Sequence, residues 1–310
     1  MGGGGSSISY WDSDSSNILK KIQDADYQSQ KADYDSWTSD FLMQCLGDFN
    51  NRDNEAIKTS IKSIRATLGK DIEGVVSTRF GGSISRKTHI DGLSDIDTLV
   101  ILNDTSLADK NPAEVLEYFY QKLKQRFPKS KIEKGDMAVT IDVNNSSIQL
   151  LPALKYKTGI KISDGGDWSN IVSPSVFARK LTVVNQEQNG KLIPGIKLIK
   201  AIVANLPENA KLKGYHIESL AIEIFSKYKQ SPVNNIKDVV LRFFKESPTL
   251  VKNPIKDSTG QTNYVDEYLG RKDSIKRLIA ADAYDRIARR IDIAESSCQK
   301  DIWDNLINGT

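Results

Sequence analysis

The sequence predicts an α+β protein, a small mixed sheet with helices followed by an all-helical half. Three observations carry this expectation. Short apolar, β-branched segments punctuated by Gly and Asn crowd between residues 74 and 154. Helical periodicity precedes them. From about Pro174 onward only helical periodicity remains. A chain of 310 residues is long enough to bury two cores.

The elements follow in order. The opening MGGGGSSISYWDSDSS lacks the apolar stretch of a secretory signal, and residues 1–35 read as a flexible segment. Phe41, Leu42, Cys45, Leu46 and Phe49 recur at helical spacing. Ile57, Ile61, Ile64 and Leu68 do the same after a polar break over 50–54. Together they predict a long N-terminal helix that packs across both halves. GVVSTRF, residues 74–80, reads as a strand broken by Gly81, Gly82 and Ser83. DTLVIL, residues 97–102, is a second strand, apolar enough to be central. Pro112 opens an amphipathic helix to about Phe127. AVTIDV and SIQLLPAL flank Asn144 and Asn145, a hairpin signal. Helices are then expected over 175–188, 193–206, 215–229 and 233–244. A single long C-terminal helix is expected over 274–306. The two halves should meet near 160–173.

Composition narrows the classes. Apolar residues make up 39% and charged residues 27%, as in globular proteins. No apolar run approaches the eighteen or so residues of a membrane span, so no membrane partner is expected. Two histidines, His89 and His216, exclude a His-rich metal centre. Cys45 and Cys298 have no metal-type spacing, and so few cysteines fit a reducing, cytoplasmic setting. A net charge of +3 gives no reason to require nucleic acid as a partner.

The chemistry sits in GGSISRKTHIDGLSDIDTLVIL, residues 81–102. Asp95 and Asp97 stand two apart at a strand start, so both project from one face. Paired carboxylates repel unless a cation lies between them, and hard oxygen ligands suit Mg²⁺. Gly81 and Gly82 let the backbone approach a ligand closely. Ser83 offers a hydroxyl and an N–H at a helix start, where anions bind. Arg86 and Lys87 add positive charge one turn on. Each part alone is ordinary: a solvated turn, a loop, a solvated face. The ordered combination describes a triphosphate cradle beside a metal site.

GGSISRKT followed by SDIDTLVIL resembles the signature of polymerase-β-type nucleotidyltransferases. Within them the chain is most similar to the bacterial relatives of cyclic GMP–AMP synthase and oligoadenylate synthase, which make cyclic nucleotide signals in anti-phage defence. LLPAL, DWSNIVSP, IPGIKLIKAIV, GYHIESLAIEIF and DSTGQTNYVDEYLG extend the resemblance over about 36–306. It implies a catalytic core over 36–165 and a helical domain over 166–310 that closes a nucleotide cleft. It implies two Mg²⁺ ions, with Mn²⁺ as a substitute, clamped by three carboxylates. Asp95 and Asp97 match two of them, Gly82 and Ser83 the phosphate-binding turn, and Lys200 (with Lys197 the nearby alternative) a phosphate-binding lysine. The position of the third carboxylate holds Gln149. The hairpin puts Asp142 on the same face as Gln149, a diagonal neighbour, so Asp142 is expected to supply it. The implied substrates are ATP or another nucleoside triphosphate, and the implied downstream partner is an effector that reads the cyclic product. A linear or RNA 3′-end nucleotidyltransferase and an inactive nucleotide-binding regulator are the alternatives. Trp168, Tyr215 and Tyr264 are aromatic candidates for base stacking, and His89 for a proton shuttle. Each has a plainer reading as packing or as a loop residue.

Overall fold

The structure is a computed structural model that describes residues 10–51, 53–70, 76–93, 95–103, 105–144, 146–164, 167–257, 259 and 262–309. Helix α1 (Tyr10–Asp48) and helix α2 (Asn54–Gly69) are separated at the predicted polar break, where the Asp53 side chain caps α2. The segment expected to be a flexible tail is helical from Tyr10 on. Its residues 17–30 are exposed, which the polar composition of this stretch permits.

Strand β1 (Ser77–Phe80) leads into a four-residue turn of helix, α3 (Gly82–Ser85), and then strand β2 (Ile96–Ile101). Gly74 and Val75 of the predicted first strand, and Ser94 before the acidic pair, lie outside the described residues. Helix α4 (Pro112–Arg126) starts on a capping box made by Asn111 and Glu114. Strands β3 (Ile132–Lys134), β4 (Val139–Val143), β5 (Ser146–Tyr156), β6 (Gly159–Asp164) and β7 (Asp167–Trp168) complete the sheet. Its order is β1-β2-β5-β4-β3, with β6 on β5 and β7 on β6. Strand β2 is parallel to β5 and the other pairs are antiparallel, so the sheet is mixed. The β4–β5 register pairs Val143 with Ser146, as the hairpin signal implies.

Helices α5 (Pro174–Glu187), α6 (Leu192–Ala204), α7 (Gly214–Phe225) and α8 (Ile236–Val251) follow. The predicted single C-terminal helix is two, α9 (Ile275–Ser297) and α10 (Asp301–Asn308). The break is at Cys298, whose φ of 54° ends α9 in a left-handed cap. Strands β6 and β7 fall in the region of 160–173 where the two halves are expected to meet, and the helices begin at Pro174. The expected division at 165/166 lies outside the described residues.

Two main cores form. One joins α2, α4 and one sheet face through Ile64, Leu68, Val100, Phe119, Ile141 and Ile148. The other gathers α5–α10 around Ile199, Leu220, Phe243, Tyr284 and Trp303, and takes Tyr34, Leu42, Cys45 and Leu46 of α1 with them. The N-terminal helical region thus spans both halves as two helices, α1 on the helical core and α2 on the sheet core. At Gly195 of α6 a side chain would overlap Val239 of α8, so the close helix crossing requires glycine.

Candidate active site

Alternation along β2 buries Ile96, Thr98 and Val100 on the face covered by α2 and α4. It turns Asp97 and Leu99 to the opposite face. That face and the helical half enclose a cavity of about 590 Å³, lined by Gly81, Gly82, Ser83, Arg86, Asp95 and Asp97 on one side. Lys200, Tyr215 and Glu218 line the other side, and Leu99, Leu151, Ile160 and Val172 form an apolar wall.

The turn after β1 is built against Asp97. Gly81 N–H donates to the Asp97 carbonyl at 2.8 Å. Gly82 has φ +47°, and a Cβ there would overlap the Asp97 carboxylate. Glycine is therefore required on both counts. The Ser83 backbone N–H bonds the Asp97 carboxylate. Burial pushes the Asp97 carboxyl up; Arg86 opposes this, and Asp95 adds to it.

Gln149 sits opposite Asp97 in the β2–β5 register and opposite Thr140 in the β4–β5 register. Its Nε2 donates to Asp95 Oδ2 at 2.6 Å. Asp142 is paired with Ser147, on the same face as Gln149, as alternation predicts. It is exposed and lines a different cavity, with Lys129, Ser130 and Lys131. Among the described residues no group of three His, Cys, Asp or Glu is arranged to hold a metal. The expected trio of Asp95, Asp97 and Asp142 is not brought together: Asp142 stands on β4, two strands from β2.

The cations divide as well. Lys197 is buried and donates to Asn50 Oδ1 at 2.5 Å, and it does not line the cavity. Lys200 lines it, but its ammonium donates to Glu218 at 2.7 Å and to the Thr88 carbonyl at 3.0 Å and hydroxyl at 3.2 Å. Glu218 also accepts from Arg86 Nε at 2.5 Å and from the Thr88 hydroxyl. Burial would raise the Glu218 carboxyl, but Lys200 and Arg86 outweigh it and hold it below the usual range. Burial pushes the Lys200 ammonium down despite its pairing with Glu218. Glu218 was missed in the sequence; its signal is a carboxylate on the apolar run of GYHIESLAIEIF.

Of the aromatic candidates, Tyr215 lines the cavity, its ring tilted 51° against Phe177 with centroids 4.5 Å apart, and donates to Asp257 at 2.8 Å. Trp168 donates to the Lys110 carbonyl at 3.0 Å and packs on the sheet core. Tyr264 is exposed, and neither it nor His89 lines the cavity.

Residues 33–185 match the Second Messenger Oligonucleotide or Dinucleotide Synthetase domain family. The match makes this stretch a nucleotidyltransferase domain of that family. The match runs from α1 through the sheet to α5 and includes the turn and both aspartates of the cavity. No curated protein sequence matches the chain. Solved structures do. CdnG of Bradyrhizobium diazoefficiens in complex with GTP is similar with a TM-score of 0.67 at 12% identity, over 86% of this chain and 93% of that one. CdnE of Elizabethkingia meningoseptica, a cyclic dinucleotide synthase with GTP and Apcpp, gives 0.62 at 14%, over 80% and 98%. A STING-associated CdnE c-di-GMP synthase from Capnocytophaga granulosa gives 0.60 at 21%, over 78% and 81%. At these identities the likeness establishes the fold, the nucleotidyltransferase sheet with its helical half. Among the described residues no helix is long and apolar enough to cross a membrane.

Proposed function

We propose that the chain joins nucleoside triphosphates, ATP, another or both, into a cyclic di- or trinucleotide and releases pyrophosphate. The observation that carries this is the Asp95–Asp97 pair facing, with the Gly81–Ser83 turn, a cavity closed by the helical half. Its volume of about 590 Å³ is in the range of ligand pockets, about 300–1,000 Å³.

The pair fits a divalent cation. Burial raises the Asp97 carboxyl and repulsion from Asp95 adds to it, a cost that a bound cation offsets. Asp95 and Asp97 would hold Mg²⁺, or Mn²⁺ in its place. The metal, when bound, supplies neutralisation of phosphate charge and a more acidic attacking hydroxyl. The second ion implied by the family resemblance needs a further donor; Gln149 touches Asp95, whereas Asp142 faces a different cavity.

The chain's own residues do the rest. Gly82 and Ser83 bring backbone to the phosphates, and Arg86 adds charge. Leu99, Leu151 and Val172 exclude water from the reacting region. The flat faces of Phe177 and Tyr215 flank Arg86 and offer a surface to a base. The product would pass to an effector that reads cyclic nucleotides, in the cytoplasm, as a signal in anti-phage defence.

A second reading, a regulator that binds nucleotide without turnover, is favoured by one observation, the neutral Gln149 at the carboxylate position. Incubation with each nucleoside triphosphate, singly and mixed, with Mg²⁺ or Mn²⁺, separates the readings by mass spectrometry after phosphatase treatment. A phosphatase-resistant product supports the cyclic synthase. Phosphatase-sensitive oligomers mean a linear or RNA-end enzyme. Binding without product means the regulator.

A further inference from the structure

Glu218 is the fully buried hub of four groups drawn from three elements. Arg86 and Thr88 come from the loop after α3, Lys200 from α6 and Glu218 itself from α7. The geometry assigns Glu218 as a positioning residue that fixes the Arg86 guanidinium at the cavity wall as the cation for the triphosphate, with Lys200 as the counterion of Glu218. This rests on the proposed reading of the cavity as a triphosphate site.

The donor count supports it. The three N–H groups of the Lys200 ammonium match its three acceptors, the Thr88 carbonyl, the Thr88 hydroxyl and Glu218. Arg86 meets Glu218 through Nε alone. A guanidinium so held presents its two Nη groups as a fork, which matches phosphate oxygens in a way a point charge does not. The plane is fixed further by the rings of Phe177 and Tyr215, 5.5 Å and 5.6 Å from the guanidinium carbon. Within this cluster one carboxylate between two cations leaves one positive charge, which also acts on Asp97 nearby. An anionic ligand neutralises that charge without breaking the buried pair. Arg86 also follows directly on the turn that touches Asp97, so the same loop sets both the metal pair and the phosphate cation.

The test is ATP affinity, measured by calorimetry with Ca²⁺ in place of Mg²⁺, for the full chain and for Glu218→Gln, Arg86→Ala and the double variant. Glu218→Gln should weaken ATP about tenfold, and add nothing once Arg86 is Ala, because it acts through that residue. Tighter binding in Glu218→Gln would show that the carboxylate merely competes with phosphate. Unchanged affinity with a lower melting temperature would show a purely structural role. Either result overturns the proposal, as would independent losses in the double variant or no ATP binding by the wild type. Arg86→Lys, at the cavity wall, keeps the charge without the fork and covers the case in which Glu218→Gln does not fold. It should lose affinity nearly as Arg86→Ala does, and wild-type affinity would overturn the assignment. Wild-type ATP binding with this coupling but without product would overturn the synthase reading alone. Product formation without the coupling would overturn only the role of Glu218.

Discussion

Gln149 donates its amide N–H to the Asp95 carboxylate at 2.6 Å, in the space where the family resemblance implies a third carboxylate. The contact puts a hydrogen bond where a third carboxylate would repel Asp95. Gln149→Asp should therefore lower the Mg²⁺ concentration for half-maximal activity, by about tenfold as the ligand set gains charge. It should also lower the melting temperature in EDTA. Asp142→Ala, in a different cavity, should leave the Mg²⁺ requirement unchanged. A raised requirement in Asp142→Ala would show that Asp142 reaches the metals.

Gly82→Ala meets two obstacles, a φ of +47° and the Asp97 carboxylate. The backbone term alone costs about 1–2 kcal/mol. Because the displaced group is Asp97, product formation should be lost while the fold survives. A melting curve beside a product assay checks this. Retained turnover would contradict the contact.

Asp97 has its carboxyl raised above the ordinary 3.8, by burial first and by Asp95 as well. A raised carboxyl contributes stability present below the unfolded value and lost as pH rises through the folded one. Metal-free protein should thus lose stability as pH climbs past the ordinary Asp range. Asp97→Asn should flatten that fall, and at neutral pH in EDTA it should melt no lower than wild type while making no product. Thermal melts across pH, with and without EDTA, read both effects.

Lys197 is bound to Asn50, away from the cavity. Lys197→Ala should lower the melting temperature and leave the KM for triphosphate unchanged. A raised KM with unchanged stability would return Lys197 to the phosphate site.

The stretch that lines the cavity was legible because its geometry is local. The turn, the acidic pair and the apolar strand lie within residues 81–102, and period-two alternation fixes which side chains share a face. The hairpin register was legible for the same reason. What was hidden depends on distant pairs. Glu218 lies 132 residues from Arg86, and nothing in its own helix names that partner. Lys197 and Lys200 are one helical turn apart, and only packing shows that one meets Asn50, after α1, and the other the cavity. The break at Cys298 was missed because no Gly or Pro marks it: a cysteine takes the left-handed cap. The helix from Tyr10 was missed because its sequence carries no apolar stripe.

The most direct test compares wild-type protein with Asp95→Asn/Asp97→Asn, each incubated with the four nucleoside triphosphates and Mg²⁺ and analysed by mass spectrometry after phosphatase. The wild type should yield a phosphatase-resistant cyclic oligonucleotide and pyrophosphate, and the double variant neither. A wild type that binds triphosphate yet makes no product, or a double variant that still makes it, would contradict the assignment of this cavity as the active site of a cyclic nucleotide synthase.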